Sequence, residues 1–361
     1  MTDLLLGTAA PVFSVGGRTV PALARDCVRL VVDEGVEGLR TLEAHLAATG
    51  AGSPGPPGEL LHLDGREFDF GADLKVAVGS DATQQNVFDG TVSAIEVVLG
   101  DSEQPLVVVL AEDRLMRLRM TARMRTYTNV TDAEVARTIA ADHGLDADVS
   151  VDGPRYDVLQ QVNQSDLAFL RERARLLQAD LWCDGRTLHF SDRSARRGRR
   201  ITLIHGADLL SCRITADLAH QRTQVTVGGY DARTRSVIDE HADGTAIAAE
   251  ARPGRTGPAV LENALGARPA FRVREVPLTT AEASAWARAQ LLRRARRFVV
   301  ASGLTRGTPE LTVGSQLRLE LVGAPFDGEG YYITRVTHSY DNVRGLRTAF
   351  EAERATLNEV S

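Results

Sequence analysis

Lysine is all but missing from this sequence: of 42 basic residues, Lys75 is the only lysine and the other 41 are arginine. With abundant Ala and Gly, this bias points to a GC-rich bacterial genome and specifies no function. Cysteine is also scarce. Cys27, Cys183 and Cys212 are odd in number and show no C-x-x-C spacing, which argues against a disulfide framework and for a reduced, cytosolic protein. Long apolar runs are absent, and stretches such as Leu106 to Ala111 are far too short to span a bilayer. The opening MTDLLLGTAAPVFSVGG lacks a basic n-region and carries Asp3 before a brief apolar run, so no signal peptide is expected. The formal net charge of −6 gives no global pull toward nucleic acid or an anionic membrane. What remains is a chain of 361 residues, 43% hydrophobic and 25% charged, with room for two or three soluble globular domains.

Reaction motifs are missing as well. Gly50-Ala51-Gly52-Ser53-Pro54-Gly55 satisfies G-x-G-x-x-G, but Pro56-Pro57-Gly58 follows and blocks the helix whose amides would cradle a pyrophosphate. A Walker A loop needs Lys after Gly, and Lys75 follows Leu74. Cys183, His189, His205, Cys212 and His220 match no zinc spacing. There is no G-x-S-x-G elbow and no H-E-x-x-H helix. Glu112 and Asp113 are the nearest thing to a glycosidase carboxylate pair, and a solvated strand end accounts for them equally well. No catalytic, cofactor-binding or metal-binding residue is assigned. Two arginine clusters, at 193–200 and 293–297, suit phosphate contact. They equally suit a solvated loop and helix face, or salt bridges to an acidic neighbouring subunit. Only Trp286 and Phe298 flank the second cluster, too few aromatics to expect a nucleic-acid site.

Patterned segments fill the rest. Val12 to Val15, Arg18 to Val20 around a Gly16-Gly17 turn, and Cys27 to Val32 read as strands. So do Leu60 to Leu63, Phe68 to Phe70, Leu74 to Val78, Val87 to Phe88, Val92 to Leu99 and Leu106 to Leu110. Gly38 to Ala48 fits either a helix or an alternating strand. Thr49 to Gly58 reads as a surface loop. Arg114 to Met124 reads as a short helix or tight turn. Thr131-Asp132-Ala133-Glu134 is a capping box opening a helix that stops at Gly144, and a short strand follows around Tyr156 to Leu159. From Gln160 to Phe190, Ser165 caps a helix whose Leu167, Leu170, Ala174 and Leu177 share a face. Leu181 to Cys183 and Thr187 to Phe190 then form a hairpin around an Asp184-Gly185 turn. Ile201 to Ile204, Leu209 to Ile214 and Gln224 to Gly228 are strands, and Ala242 to Ala267 reads as the most mobile part. A second capping box, Thr279 to Glu282, opens a helix placing Ala285, Ala289, Leu292 and Arg296 on one face, with Arg293, Arg294 and Arg297 solvated. Leu311 to Gly314, Gln316 to Leu321, Tyr331 to Tyr340 and Leu346 to Phe350 close the chain as strands.

Three of these stretches resemble one family. Ser165-Asp166-Leu167-Ala168-Phe169-Leu170 with its hairpin, the Phe88-Asp89-Gly90-Thr91-Val92 strand running on to Glu96, and the Tyr331-Tyr332-Ile333-Thr334-Arg335-Val336-Thr337-His338 strand resemble the late-control D family of phage tail hubs. That family includes the hub part of VgrG spikes and of contractile injection systems. The resemblance implies a strand at Gly38 to Ala48 and an α+β, mostly β fold. It implies two tube-protein-like β-barrels, residues 1–120 and 205–361, linked by a small α/β subdomain at 121–204, with a helix packed on the second barrel. It also implies a non-enzymatic baseplate hub, a homotrimer matching a threefold spike to a sixfold tail tube within the baseplate of a phage tail or injection particle. Direct contact with nucleic acid or membrane is not expected. The spike would be a separate chain or a further C-terminal part. A carbohydrate-binding or wall-hydrolysing β-protein is the alternative.

Overall fold

Alternating burial is what builds this fold. Along Leu30 to Gly35 of the strand Cys27–Gly35, and along Thr41–Ala47, every second side chain is buried, the period of a strand with one face in a core. The computed structural model describes residues 10–49, 60–79, 84–101, 103–231, 233–251, 254–273 and 279–359. The glycine-rich loop from Gly50 onward and its G-x-G-x-x-G lie outside the described residues.

In chain order, β1 (Val12–Val15), β2 (Arg18–Thr19), α1 (Pro21–Asp26), β3 (Cys27–Gly35), β4 (Thr41–Ala47), β5 (Asp73–Val78), β6 (Gln85–Val98) and β7 (Leu106–Glu112) come first. Then follow α2 (Met116–Arg119), β8 (Ala122–Thr131), α3 (Asp132–Asp142), β9 (Asp146–Ser150), β10 (Arg155–Ser165), α4 (Asp166–Leu177), β11 (Ala179–Asp184) and β12 (Thr187–Asp192). The remainder holds β13 (Arg200–Ile204), β14 (Leu209–Ala216), β15 (Gln224–Asp231), β16 (Ser236–Asp243), a 3-10 helix (Gly244–Glu250), β17 (Arg255–Thr256), α5 (Gly257–Leu265) and β18 (Pro269–Arg272). It closes with α6 (Thr280–Arg296), β19 (Val299–Arg306), β20 (Gln316–Glu320), β21 (Gly328–Asp341), β22 (Gly345–Arg354) and β23 (Thr356–Leu357). The fold is mostly β.

Strands from both ends of the chain share one 13-stranded sheet, in the order β14-β19-β22-β21-β3-β4-β7-β6-β5-β1-β2, with β20 and β13 branching from β21. The join is antiparallel: Arg335 to Asp341 of β21 lie against Gly35 to Arg29 of β3. Three cores lie against the sheet and the central segment. The first gathers Phe13, Leu30, Leu42, Phe88 and Val107, and also takes Tyr340 and Leu346 from the far end of the chain. The second, around Phe169, Leu170, Leu181 and Phe190, draws in Leu115 and Leu118. The third holds Leu203, Val299, Tyr331, Ile333 and Phe350. Each fully buried Leu or Phe contributes roughly 2–3 kcal/mol by leaving water.

Both capping boxes form, Thr131 with Glu134 and Thr279 with Glu282. Ser165 accepts from the Ala168 amide and opens α4. The Gly38 to Ala48 stretch is the strand β4. Several expectations are corrected. Leu60 to Leu63 and Phe68 to Phe70 are turns and unpaired chain: His62 takes a positive φ of 67° within the first, and Gly71, with φ 77°, follows the second. Leu311 to Gly314 is likewise unpaired, its Leu311 and Val313 plugging the core. The two expected strands Val87 to Phe88 and Val92 to Leu99 are one, Gln85–Val98, and the polar stretch Ala122–Thr131 is a strand paired with β10. The hairpin turn is Gly185-Arg186, since Asp184 still pairs with Thr187. Ala242 to Ala267 contains the 3-10 helix and α5, anchored by buried Ile247 and Leu261. Helix α6 is buried on two sides: Ala283 and Ala287 press on Val227 and Ile238 of the small sheet β16-β15-β18, while Leu292 and Ala295 meet Ile247 and Ala355. Ala285 is only half-buried.

Candidate assembly face and the junction behind it

The register of the large sheet defines a continuous open face. On β3, Arg29, Val31 and Asp33 lie opposite to the buried Leu30, Val32 and Glu34. Across the join, Arg335 and Thr337 of β21 sit beside Gly35 and Asp33. Arg335 Nε donates to Asp33 at 3.0 Å and the Thr337 hydroxyl donates to the same carboxylate at 2.7 Å. The same face continues through Ala349 and Glu351 of β22, Ser302 and Leu304 of β19, and Ser211 and Arg213 of β14. On the other side it runs through Thr41, Glu43 and His45 of β4 to Glu112 and Leu110 of β7. Short polar and charged side chains of both signs cover it. A surface of this width and composition suits contact with other protein subunits or with water, and it offers no enclosed reaction site.

Behind the face, buried charges tie three segments together. Glu34 of β3 is buried and takes Arg40 at 2.7 Å and Arg196 from the loop after β12. The Arg196 guanidinium lies 4.5 Å over the Trp182 ring and 3.8 Å from Asp180. Asp180 accepts the Tyr332 hydroxyl at 2.6 Å, and Arg193 stacks 3.7 Å over the Tyr332 ring. Burial, then the Asp180 charge, keeps the Tyr332 phenol protonated. The arginine cluster at 193–200 is therefore partly interior. Its pairing partner Glu34 lies 162 residues away, and no local sequence signal announces such a pair. The Tyr331-Tyr332 dipeptide, with rings ready to accept a guanidinium, was the available hint.

The family motifs have structural jobs. Asp166 is buried at the start of α4 and accepts from Gln161, Arg123 and His143 at 2.8–2.9 Å. Phe169 stacks on Tyr127. Gly90 is a close approach: a Cβ there would lie 2.3 Å from the Glu112 carbonyl and 2.6 Å from the Phe88 ring. His338 is buried with Nδ1 3.0 Å from the Thr348 hydroxyl. Burial, then Arg40, lowers its pKa to about 4, so it is neutral at physiological pH.

The remaining candidates from the sequence are occupied structurally. Asp113 accepts the Arg40 and Leu115 amides, with burial raising its pKa to about 6 against those bonds. Glu112 pairs with Arg119. Burial pushes Cys27 and Cys183 up to about 12, so neither is a thiolate nucleophile. Among the described residues no cluster of His, Cys, Asp and Glu could hold a metal, and no helix is long and apolar enough to cross a membrane. Apolar side chains surface elsewhere: Met124 beside Val162 on the β8–β10 ribbon, and Tyr230 beside Val237 with Phe271 on the small sheet. Exposed apolar clusters mark interaction surfaces.

Over residues 60–342 the sequence matches the family described as the Alg8 N-terminal domain. The chain belongs to this family. The match takes in β5 to β21 and leaves out β1 to β4, β22 and β23, so only the β21 side of the β3–β21 join lies within it. No curated protein matches the sequence. Among solved structures, the 43 kDa tail protein of prophage MuSo2 from Shewanella oneidensis aligns with TM-score 0.68 at 15% identity, covering 96% of this chain and 98% of that one. A tail protein from Neisseria meningitidis MC58 aligns with TM-score 0.66 at 13% identity, covering 96% of each. An E. coli type VI secretion component, itself described as similar to the T4 tail proteins gp27 and gp5, aligns with TM-score 0.58 at 14% identity over 97% of this chain and 79% of that one. At these identities the likeness shows the fold: this Alg8 N-terminal domain protein is built like phage tail and secretion-system tail proteins. The matched family carries a different description from late-control D.

Proposed function

We propose that the chain is a structural baseplate hub of a contractile phage tail or contractile injection system, of the late-control D and VgrG type. Its role is architectural, with no catalytic step. Residues 1–120 and 205–361 act as two tube-like barrels bridged by the subdomain 121–204. Three copies close into a ring. Six similar barrel positions then meet a sixfold tail tube on one side, and the threefold axis receives a spike on the other. Heterologous contacts that close give such a ring, and they cover the free strand edges that would otherwise invite aggregation. The partners are a spike, the tube or its initiator, and other baseplate components, assembled in the cytoplasm, without direct contact to nucleic acid or membrane.

One observation carries this reading. Both halves of the chain lend strands to a single continuous sheet face, in a chain that tail proteins match over nearly its whole length. Light scattering of the purified chain tests it. Three copies of a 39.0 kDa chain give about 117 kDa, and a clean monomer at high concentration contradicts the ring.

A further inference from the structure

Beside the C-terminal half of α6 lies a cleft of about 810 Å³. Its floor is sheet: Arg213 and Thr215 of β14 stand opposite Ser302 and Val300 of β19. Its walls are Arg293, Arg294 and Arg297 from α6 and the last turn, with Arg272 of β18 across from them. Five guanidinium groups thus converge in a protein whose net charge is −6.

These arginines, with Arg213, Arg293 and Arg297 exposed and Arg272 and Arg294 half-buried, differ from the paired arginines elsewhere. Arg173 is paired with Asp132, Arg196 with Glu34, and Arg296, on the same helix but facing away, with Glu250. Among the described residues no carboxylate lies within ion-pair range of Arg213, Arg272, Arg293, Arg294 or Arg297. The carboxylate in the lining, Asp217, already accepts from His220 at 2.9 Å and from the Ala219 amide. Like charges gathered in a partly desolvated cleft repel. The effect is visible at Arg294, held below its usual range by burial and then by Arg222, Arg272 and Arg293. An anionic ligand removes that repulsion and gains charge-assisted, bidentate hydrogen bonds.

We propose that this cleft is a docking site for an acidic segment of a partner protein. Its size and its five separated guanidiniums suit several carboxylates spaced along an extended chain rather than one small anion. Nucleic acid fits poorly. Among the described residues no Phe, Tyr or Trp lines the cleft to stack a base, His220 being the one ring there and already bonded to Asp217, and Asp217 interrupts the positive surface. The hydroxyls of Thr215 and Ser302 and the amide of Gln290 supply neutral hydrogen-bonding groups of the kind a peptide backbone uses.

The inference stands apart from the number of copies in the ring. A chain that proves monomeric yet binds acidic peptide contradicts the hub and leaves the cleft assignment intact. The test measures anisotropy of a labelled oligoglutamate peptide with the full chain, beside a single-stranded DNA oligonucleotide of equal charge. Oligoglutamate binding should weaken with salt and fall at least about tenfold in the Arg293→Glu, Arg297→Glu double variant. Arg344→Glu, an exposed arginine in a turn elsewhere, should leave it unchanged. If melting shows that the double variant is misfolded, Arg213→Gln is read by the same criterion. Absence of peptide binding, an equal loss in Arg344→Glu, or tighter DNA binding with the same dependence on the cleft arginines each overturns the proposal.

Discussion

Glu34 receives one arginine from the strand connection beside it and another from a loop 162 residues further on. The side chains of Glu34 and Arg196 are both less than one-tenth exposed, so removing one partner leaves a buried charge half-compensated. Arg196→Met should therefore cost about 2–3 kcal/mol in urea unfolding. A loss below about 0.5 kcal/mol, the scale of a surface substitution, would show that the junction does not hold the segments together. His338 gives a pH signature. Its folded pKa of about 4 lies below the ordinary 6.5, so its contribution to stability is present above pH 6.5. That contribution is lost as pH falls toward 4, where protonation must occur in the core beside Arg40. The stability of wild type relative to His338→Gln should drop by about 2–3 kcal/mol between pH 7 and pH 4. A constant difference across that range would contradict a buried neutral histidine. Little of this was legible beforehand. The arginine cluster at 193–200 reads as solvated because charge runs usually are, and only the fold brings Trp182, Tyr332 and Glu34 to it.

At the scale of elements the sequence was more readable, for a physical reason. Capping boxes and alternating strands are local, and Thr131, Ser165 and Thr279 all cap as their spacing predicts. Failures came where apolar residues fill a core without pairing. Phe68 and Leu311 are buried like strand residues, yet positive-φ positions such as His62 and Gly65 turn the chain around the first of them. The opposite failure is Ala122–Thr131, a strand with one buried side chain, Tyr127. Its ribbon is covered on too little of its surface to leave a hydrophobic pattern. Helix α6 hid a second buried face because alanine at 283 and 287 suits any surface. Gly90 is the element-scale test: its missing Cβ lets β6 pass against the Glu112 carbonyl of β7. Gly90→Ala should lower stability by about 2–3 kcal/mol through overpacking. A neutral effect on the melting temperature would mean that the strands separate there at no cost.

For the whole molecule, the β3–β21 join ties the two ends of the chain together. A chain whose two ends share one sheet cannot let its halves move apart without breaking Arg335–Asp33 and the ladder around it. The shared ladder holds the two halves together as one unit, which the proposed ring requires. In the proposed ring the open face is a candidate inner wall, and the apolar patches at Met124–Val162 and at Tyr230, Val237 and Phe271 are candidate contacts with neighbours. No sequence window displays this, because the face is assembled from strands more than 300 residues apart. The most direct test is an electron cryomicroscopy reconstruction of the particle that contains this chain. Three copies should sit at the junction of tube and spike, with Asp33 and Arg335 turned toward the axis. Any other copy number, or a position away from that junction, would contradict it.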